Sequence, residues 1–232
     1  MMTFMADEMD LQAAAAAFDR SSAPETETAA EDERKQVLSQ FPLEEWATLP
    51  LSRYALGQAA PSGNGPTYCR LMEFGTPNLG SIKGGSAAKH IMYHHNSGEW
   101  RVAAPLRGMD PQDAWAELRG QFVRAFEAVA AGDFEAVDDL EVLRFGPTLV
   151  TKSLATYFPE HFLPIYAAEH LRKFVTLLGG TTQTDASAWH TNRRLLELVR
   201  SRPEFDGWSR QEVMRFLYEK FNLSLAMAGL TA

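Results

Sequence analysis

The chain predicts an α+β fold, with a small antiparallel sheet over about residues 67–103 packed against a mainly helical C-terminal half. Two observations carry this. Short strand-like runs flank Asn96-Ser97-Gly98, a composition that turns hairpins. From Asp110 onwards apolar residues recur at spacings of three and four, and glycines and prolines cut the pattern into helix-sized pieces.

Residues 1–40 hold nine acids and three bases, and the run Ser21-Ser22-Ala23-Pro24-Glu25-Thr26-Glu27-Thr28 offers few apolar anchors. This composition predicts a disordered acidic segment, with at most a short helix around Ala13 to Ala17. Order is expected from Phe41, where Phe41-Pro42-Leu43, Trp46 and Leu49-Pro50-Leu51 supply anchors. Residues 41–221 are read as one α+β domain and 222–232 as a tail or linker. Residues 59–66 form a loop by composition.

Three strands are expected. Residues 67–74 alternate partly, with Tyr68, Arg70, Met72 and Phe74 on one side and Cys69, Leu71 and Glu73 on the other; 90–95 and 99–103 form the hairpin. Asp110 then caps a helix opened by Pro111, and Trp115, Leu118, Phe122, Phe126 and Val129 form its buried stripe. Residues 134–143 repeat that pattern briefly. Gly146-Pro147 opens a helix closed at Tyr157-Phe158-Pro159, and Pro164-Ile165 opens the next, ending at Gly179-Gly180. A further helix spans 186–201. Ser209-Arg210-Gln211-Glu212 is a capping box for the last.

Composition narrows the function classes. No apolar run approaches 18 residues, so no membrane span or membrane partner is expected. The first 18 residues carry acids where a secretory leader needs bases, and the single cysteine, Cys69, fits a reducing cytoplasm. The net charge of −8 is unevenly spread. Residues 1–40 carry −6 and 108–143 carry −7, whereas 70–107 and 144–220 carry +3 each. Two moderately basic regions therefore remain, which permits nucleic-acid binding.

The densest candidate is the loop Leu79-Gly80-Ser81-Ile82-Lys83-Gly84-Gly85-Ser86-Ala87-Ala88-Lys89. Gly84-Gly85 frees the backbone, and successive amides beside Lys83, Ser86 and Lys89 can cradle an anion such as a phosphate. A plain connector with solvated lysines is the competing reading. Neither the Walker spacing nor the three-glycine dinucleotide fingerprint is present. Arg70 is a further phosphate candidate, and Trp100, with Tyr93, a candidate aromatic wall for a base, although aromatics on short strands more often pack a core. His90, His94 and Glu99 do not complete a metal set, so neither metal nor cofactor is expected. The Lys152–His170 stretch reads as a corner between helices, or as a pocket with Lys152 and His170 as its polar groups.

Four segments together resemble a known family. They are Phe41-Pro42-Leu43-Glu44-Glu45-Trp46 with Leu49 to Gly57; Glu73-Phe74-Gly75-Thr76-Pro77 with Leu79 to Ala87; Lys152 with Tyr157-Phe158-Pro159, Leu163-Pro164-Ile165-Tyr166 and His170-Leu171; and Gly207-Trp208-Ser209 with Met214 to Tyr218. Over roughly residues 41–221 the chain resembles the N-terminal region of McrB-like AAA+ proteins of modification-dependent (type IV) restriction systems. The resemblance implies a non-catalytic DNA-recognition module of an anti-phage restriction system, reading modified cytosine. It implies an AAA+ motor and a nuclease subunit as partners. It assigns no ligand-binding residue. With no Walker motif in these 232 residues, no GTPase or nuclease activity is expected of them. The site expected from the residues themselves is Arg70, Lys83, Gly84, Gly85, Ser86, Lys89 and Trp100 as DNA contacts. The competing function is a protein-assembly domain of a defence complex, suggested by the acidic stretch 108–143.

Overall fold

Helix dominates the computed structural model, which describes residues 11–57 and 65–221. Helical conformations account for 64% of the described residues, beside one two-stranded antiparallel sheet, a balance compatible with α+β. The expected loop 59–66 and tail 222–232 fall largely or wholly outside the described residues. No helix among those described is long and apolar enough to cross a membrane.

The N-terminal segment corrects the sequence reading. Residues 11–17 are helical, as allowed, but the acidic stretch that follows is not disordered: Ala23–Gln40 forms an 18-residue helix, α1. Its buried residues Ala23, Ala30 and Val37 recur every seven positions, a narrow stripe that composition alone hides. The polar face is also tied down. Arg34 donates from Nε to the Thr156 carbonyl at 2.9 Å, and the Glu33 carboxylate accepts from Asn78 Nδ2 at 2.7 Å and from the Leu79 amide at 2.9 Å. Tertiary partners, not intrinsic propensity, order this helix.

The second correction is the first expected strand. Thr67 instead caps a helical turn, Tyr68–Arg70, that runs into the π-helical turn Leu71–Gly75. Tyr68, Cys69, Leu71 and Met72 are buried while Arg70 and Phe74 are exposed, so the true spacing is three and four, not two. Among the described residues two strands remain, β1 (Met92–His94) and β2 (Trp100–Val102), paired Met92 to Val102, Tyr93 to Arg101 and His94 to Trp100. The turn at Asn96-Ser97-Gly98 forms as expected. Cys69 is a fully buried thiol, and burial pushes it well above its ordinary range.

Helix α2 (Pro111–Ala130) starts on Asp110, whose side chain accepts from the Gln112 amide at 2.8 Å, and buries the expected Trp115, Leu118, Phe122, Phe126 and Val129. Residues 134–143 give only the turns Glu135–Asp138 and Glu141–Phe145. Helix α3 (Pro147–Tyr157) has both predicted ends, and every residue from Leu149 to Tyr157 is buried. Helix α4 (Ala168–Leu177) begins later than Pro164. The Asn192 side chain explains the delay: it accepts from the Leu163 amide at 2.7 Å and donates to the carbonyls of Leu163 and Ile165 at 2.9 and 2.6 Å. Those bonds hold the chain extended where the sequence pattern suggested helix. Helices α5 (Ala188–Arg200) and α6 (Arg210–Lys220) complete the order, the latter with its capping box formed.

The apolar groups collect into two clusters. One surrounds Trp46, Tyr54, Tyr68, Trp115 and Phe122; the other joins α4, α5 and α6 with Leu11 and Ala15. Gly80 shows how tightly one connection is packed. Its φ is +93°, and a Cβ there would lie 2.5 Å from the Pro164 carbonyl oxygen and 2.8 Å from Tyr166 Cε2. Gly80→Ala is expected to cost about 2 kcal/mol or more, since the backbone conformation and the packing both reject it. Thermal melting of the variant checks this, and an unchanged melting temperature would refute it.

Candidate functional site

Residues 79–86 form a loop whose base is rigid and whose rim is open. At the base, the Leu79 carbonyl accepts from the Tyr166 hydroxyl, and the Leu79 amide is held by Glu33. At the rim, Gly84 and Gly85 take φ of +91° and +67°, and a Cβ at either would meet nothing within 4 Å. Two successive left-handed residues are natural for glycine and strained for others. The Ser86 hydroxyl accepts from the Ala88 amide at 3.1 Å and caps the turn Ala87–His90.

Lys89 locks the rim to the core. Its Nζ donates to the Gly84 carbonyl and to Glu73 Oε1, both at 2.6 Å. The Gly84–Gly85 peptide is planar, so with its carbonyl turned to Lys89 its N–H points the other way. Lys83 differs from Lys89: it is exposed, and its ammonium has no partner among the described residues.

Beneath the loop lies a buried polar network. Glu73 also meets His90, Oε2 to Nε2 at 2.7 Å, with the His90 ring fully buried. Burial pushes the Glu73 carboxyl up, but the hydrogen bonds from Lys89 and His90 outweigh it and leave the group below its ordinary range. Burial holds His90 below its ordinary value despite the neighbouring carboxylate. Neutral His90 therefore donates from Nε2 to Glu73. Ile91, next in the chain, has φ +66°, a strained conformation for a β-branched residue. Lys152 is fully buried in α3 and donates to the carbonyls of Met72 at 2.9 Å and Thr76 at 2.8 Å. Burial pulls its ammonium down to about 7, against the opposing influence of Glu33 and Glu73.

A cleft of about 340 Å³ opens between this loop and the helices, walled opposite the loop by Thr148, Pro164, Tyr166, Ala167 and Tyr218. The Tyr218 hydroxyl is paired with His170 Nδ1 at 3.0 Å.

Of the residues expected from sequence, Lys83, Gly84, Gly85, Ser86 and Lys89 meet in this cleft. Arg70 and Trp100 are not among its walls. Arg70 lies over the Phe74 ring at 5.8 Å on the outer side of its helical turn. Trp100 is half-buried on the hairpin, edge-on to His94 at 5.2 Å and packed on the first apolar cluster. Tyr93 pairs with Arg101, so it faces the opposite side of the ribbon from Trp100, and the two form no common aromatic wall. Lys152 and His170 do not serve as the polar pair of a pocket: Lys152 is spent on two carbonyls, and His170 pairs with Tyr218. Sequence reasoning passed over Glu33, Glu73, Thr148 and Tyr218. A lysine inside the apolar run Leu149-Val150-Thr151-Lys152-Ser153-Leu154 was the one legible signal of a buried polar network. No three His, Cys, Asp or Glu side chains among the described residues are grouped to hold a metal ion.

No family model matches the chain, and no curated protein or solved structure matches it.

Proposed function

We propose that this chain is a non-catalytic DNA-recognition module of an anti-phage restriction system of the McrB-like type, built on an α+β domain, with backbone phosphate held at the glycine-rich cleft. The observation that carries this is Lys83: an ammonium with no partner among the described residues, beside the left-handed Gly84–Gly85 pair, on a loop held at its rim by Lys89 and Glu73 and at its base by Tyr166 and Glu33. A preorganised cation and backbone amides suit a phosphate oxygen, and pinning the loop in advance lowers the ordering cost of binding. Supporting it, three of the four segments behind the family resemblance converge here: 79–87 form the loop and Glu73 clamps Lys89 at its rim, Tyr166 holds its base, and Tyr218 walls the cleft. Modified cytosine as the base read, and a motor and nuclease as partners, follow from the resemblance.

Fluorescence anisotropy with labelled duplexes carrying cytosine, 5-methyl-, hydroxymethyl- or glucosylated cytosine tests the reading. The expected result is salt-dependent binding that favours one modified duplex. Lys83→Glu should weaken it about tenfold and flatten the log–log salt slope by about 0.9, the share of one phosphate contact. No binding to any duplex at micromolar protein would overturn it.

A second reading, a protein-assembly domain, is favoured by one feature. Asp113, Glu117, Glu127, Asp133, Glu135, Asp139 and Glu141 are all exposed on and after α2, an acidic surface suited to a basic partner subunit. Under that reading, binding should survive Lys83→Glu.

A further inference from the structure

Resting on the reading of the first cleft as a phosphate site, we propose that it is one half of a longer groove that holds successive phosphates of a single DNA strand, with Arg144 and Arg172 forming the second half. A second cleft, of about 230 Å³, lies beside the first. The two share a ridge made of consecutive residues. Thr148 and Ala167 wall the first, and Pro147 and Ala168 wall the second. The ridge is thus the first turn of α3 facing the start of α4, one residue wide on each side.

Charge makes the pair unusual in this chain. Acids outnumber bases overall, 30 to 22. Yet the walls of the two clefts hold four cations, Lys83, Lys89, Arg144 and Arg172, against one carboxylate, Asp185. Lys89 is neutralised by Glu73, but the other three cations have no carboxylate partner among the described residues. Arg144 donates from Nε to the Asp138 carbonyl at 3.1 Å, which fixes its stem without cancelling its charge. Arg172 is exposed on α4. The cleft beside Trp208 provides contrast, since its single cation, Arg20, is paired with the carboxylate of Glu212.

Unpaired like charges repel, so gathering three of them around two adjoining clefts has a cost that a polyanion relieves. A single mononucleotide would need only one of the two clefts. A strand running over the Thr148 ridge uses both, presenting one phosphate to Lys83 and the Gly84–Gly85 amides and later ones to the arginines. The cations carry this assignment; the amide end of α3 in the ridge merely adds a favourable partial charge.

The test is anisotropy at several salt concentrations, using labelled thymidine oligonucleotides of three to twelve residues and a 20-base-pair duplex. Three variants are compared with wild type: Lys83→Glu, the double variant Arg144→Glu/Arg172→Glu, and Arg124→Glu, an exposed charge change on α2 away from both clefts. Circular dichroism of each confirms folding, and Arg144→Gln/Arg172→Gln replaces the double variant if it fails to fold. Wild type should gain affinity with oligonucleotide length, and the double variant should lose that gain. On the longest single strand its salt slope should fall by about 1.4, two contacts at about 0.7 each, with affinity down at least about tenfold. If Lys83→Glu weakens binding but the double variant does not, the groove is overturned while the phosphate site stands. Equal weakening by Arg124→Glu would reveal non-specific attraction and overturn the groove as well. If wild type binds neither strand nor duplex, both readings fall.

Discussion

Glu73→Ala should be among the most damaging single substitutions in the chain, costing about 3–5 kcal/mol of folding stability, the range seen when one partner of a buried charge pair is removed. Glu73 is 8% exposed and accepts from both Lys89 and His90. Without it, among the described residues Lys89 keeps only the Gly84 carbonyl, and the fully buried His90 ring loses its one hydrogen-bond partner, since His90 Nδ1 has none there. The strained Ile91 backbone would then lose the anchor beside it, and the loop at 79–86 the clamp on its rim. Urea unfolding at neutral pH measures the loss; a cost below about 1 kcal/mol would show that the network does not hold the loop.

The pH dependence of the same network has a definite sign. Glu73 titrates lower in the fold than its ordinary 4.5, so its contribution is complete above that value and lost as pH falls through the folded pKa. His90 titrates below 6.5 in the fold, so the unfolded chain takes up its proton first and stability falls as pH drops past 6.5. Both act in one direction. Wild type should therefore weaken steadily from about pH 6.5 into acid, and Glu73→Ala should lose only the limb of that decline that lies below about 4.5.

How much of this the sequence made legible depends on the range of the forces involved. The caps at Asp110 and Ser209, the stripe of α2, the ends of α3 and the turn at Asn96-Ser97-Gly98 are local, and each was readable from neighbours in the chain. Residues 67–74 were misread because eight residues fit period two and period 3.6 almost equally, and burial decided between them. Helix α1 was hidden because its order comes from Thr156, Asn78 and Leu79, residues 45 to 122 positions away. The candidate site divided the same way. The loop residues Lys83 to Lys89 announced themselves by composition. What holds their loop, Glu73 under Lys89 and Tyr166 under Leu79, is long-range pairing that no local pattern encodes.

Lys152 supplies the second large effect, and its test separates a buried charge from a buried amine. The side chain is fully buried, with two carbonyls as its acceptors and the Tyr166 ring 5.9 Å away. A neutral amine has two N–H bonds, which match the Met72 and Thr76 carbonyls; the ammonium's third N–H has no acceptor among the described residues. Burial accordingly brings the group to about 7 in the fold, against 10.5 when free. The sign follows from proton uptake. Between these values the unfolded chain holds a proton that the folded chain has released, so stability rises with pH. Below about 7 both states are charged and the full desolvation penalty is present. Lys152→Met keeps the bulk but leaves the Thr76 carbonyl without a donor, a loss of about 1–3 kcal/mol wherever the wild-type lysine is neutral. Wild type should therefore gain about 2 kcal/mol on Lys152→Met between pH 7 and 9, from about 1.4 kcal/mol per unit less the part already titrated at 7. The window closes near 10.5, where the lysine of the unfolded chain loses its own proton and the two states bind the same number. Paired urea titrations across pH 7, 8 and 9 decide the matter: diverging curves establish a neutral lysine beneath Met72 and Thr76, and parallel ones mean that Lys152 keeps its charge across that range and that those carbonyls are held by an ammonium.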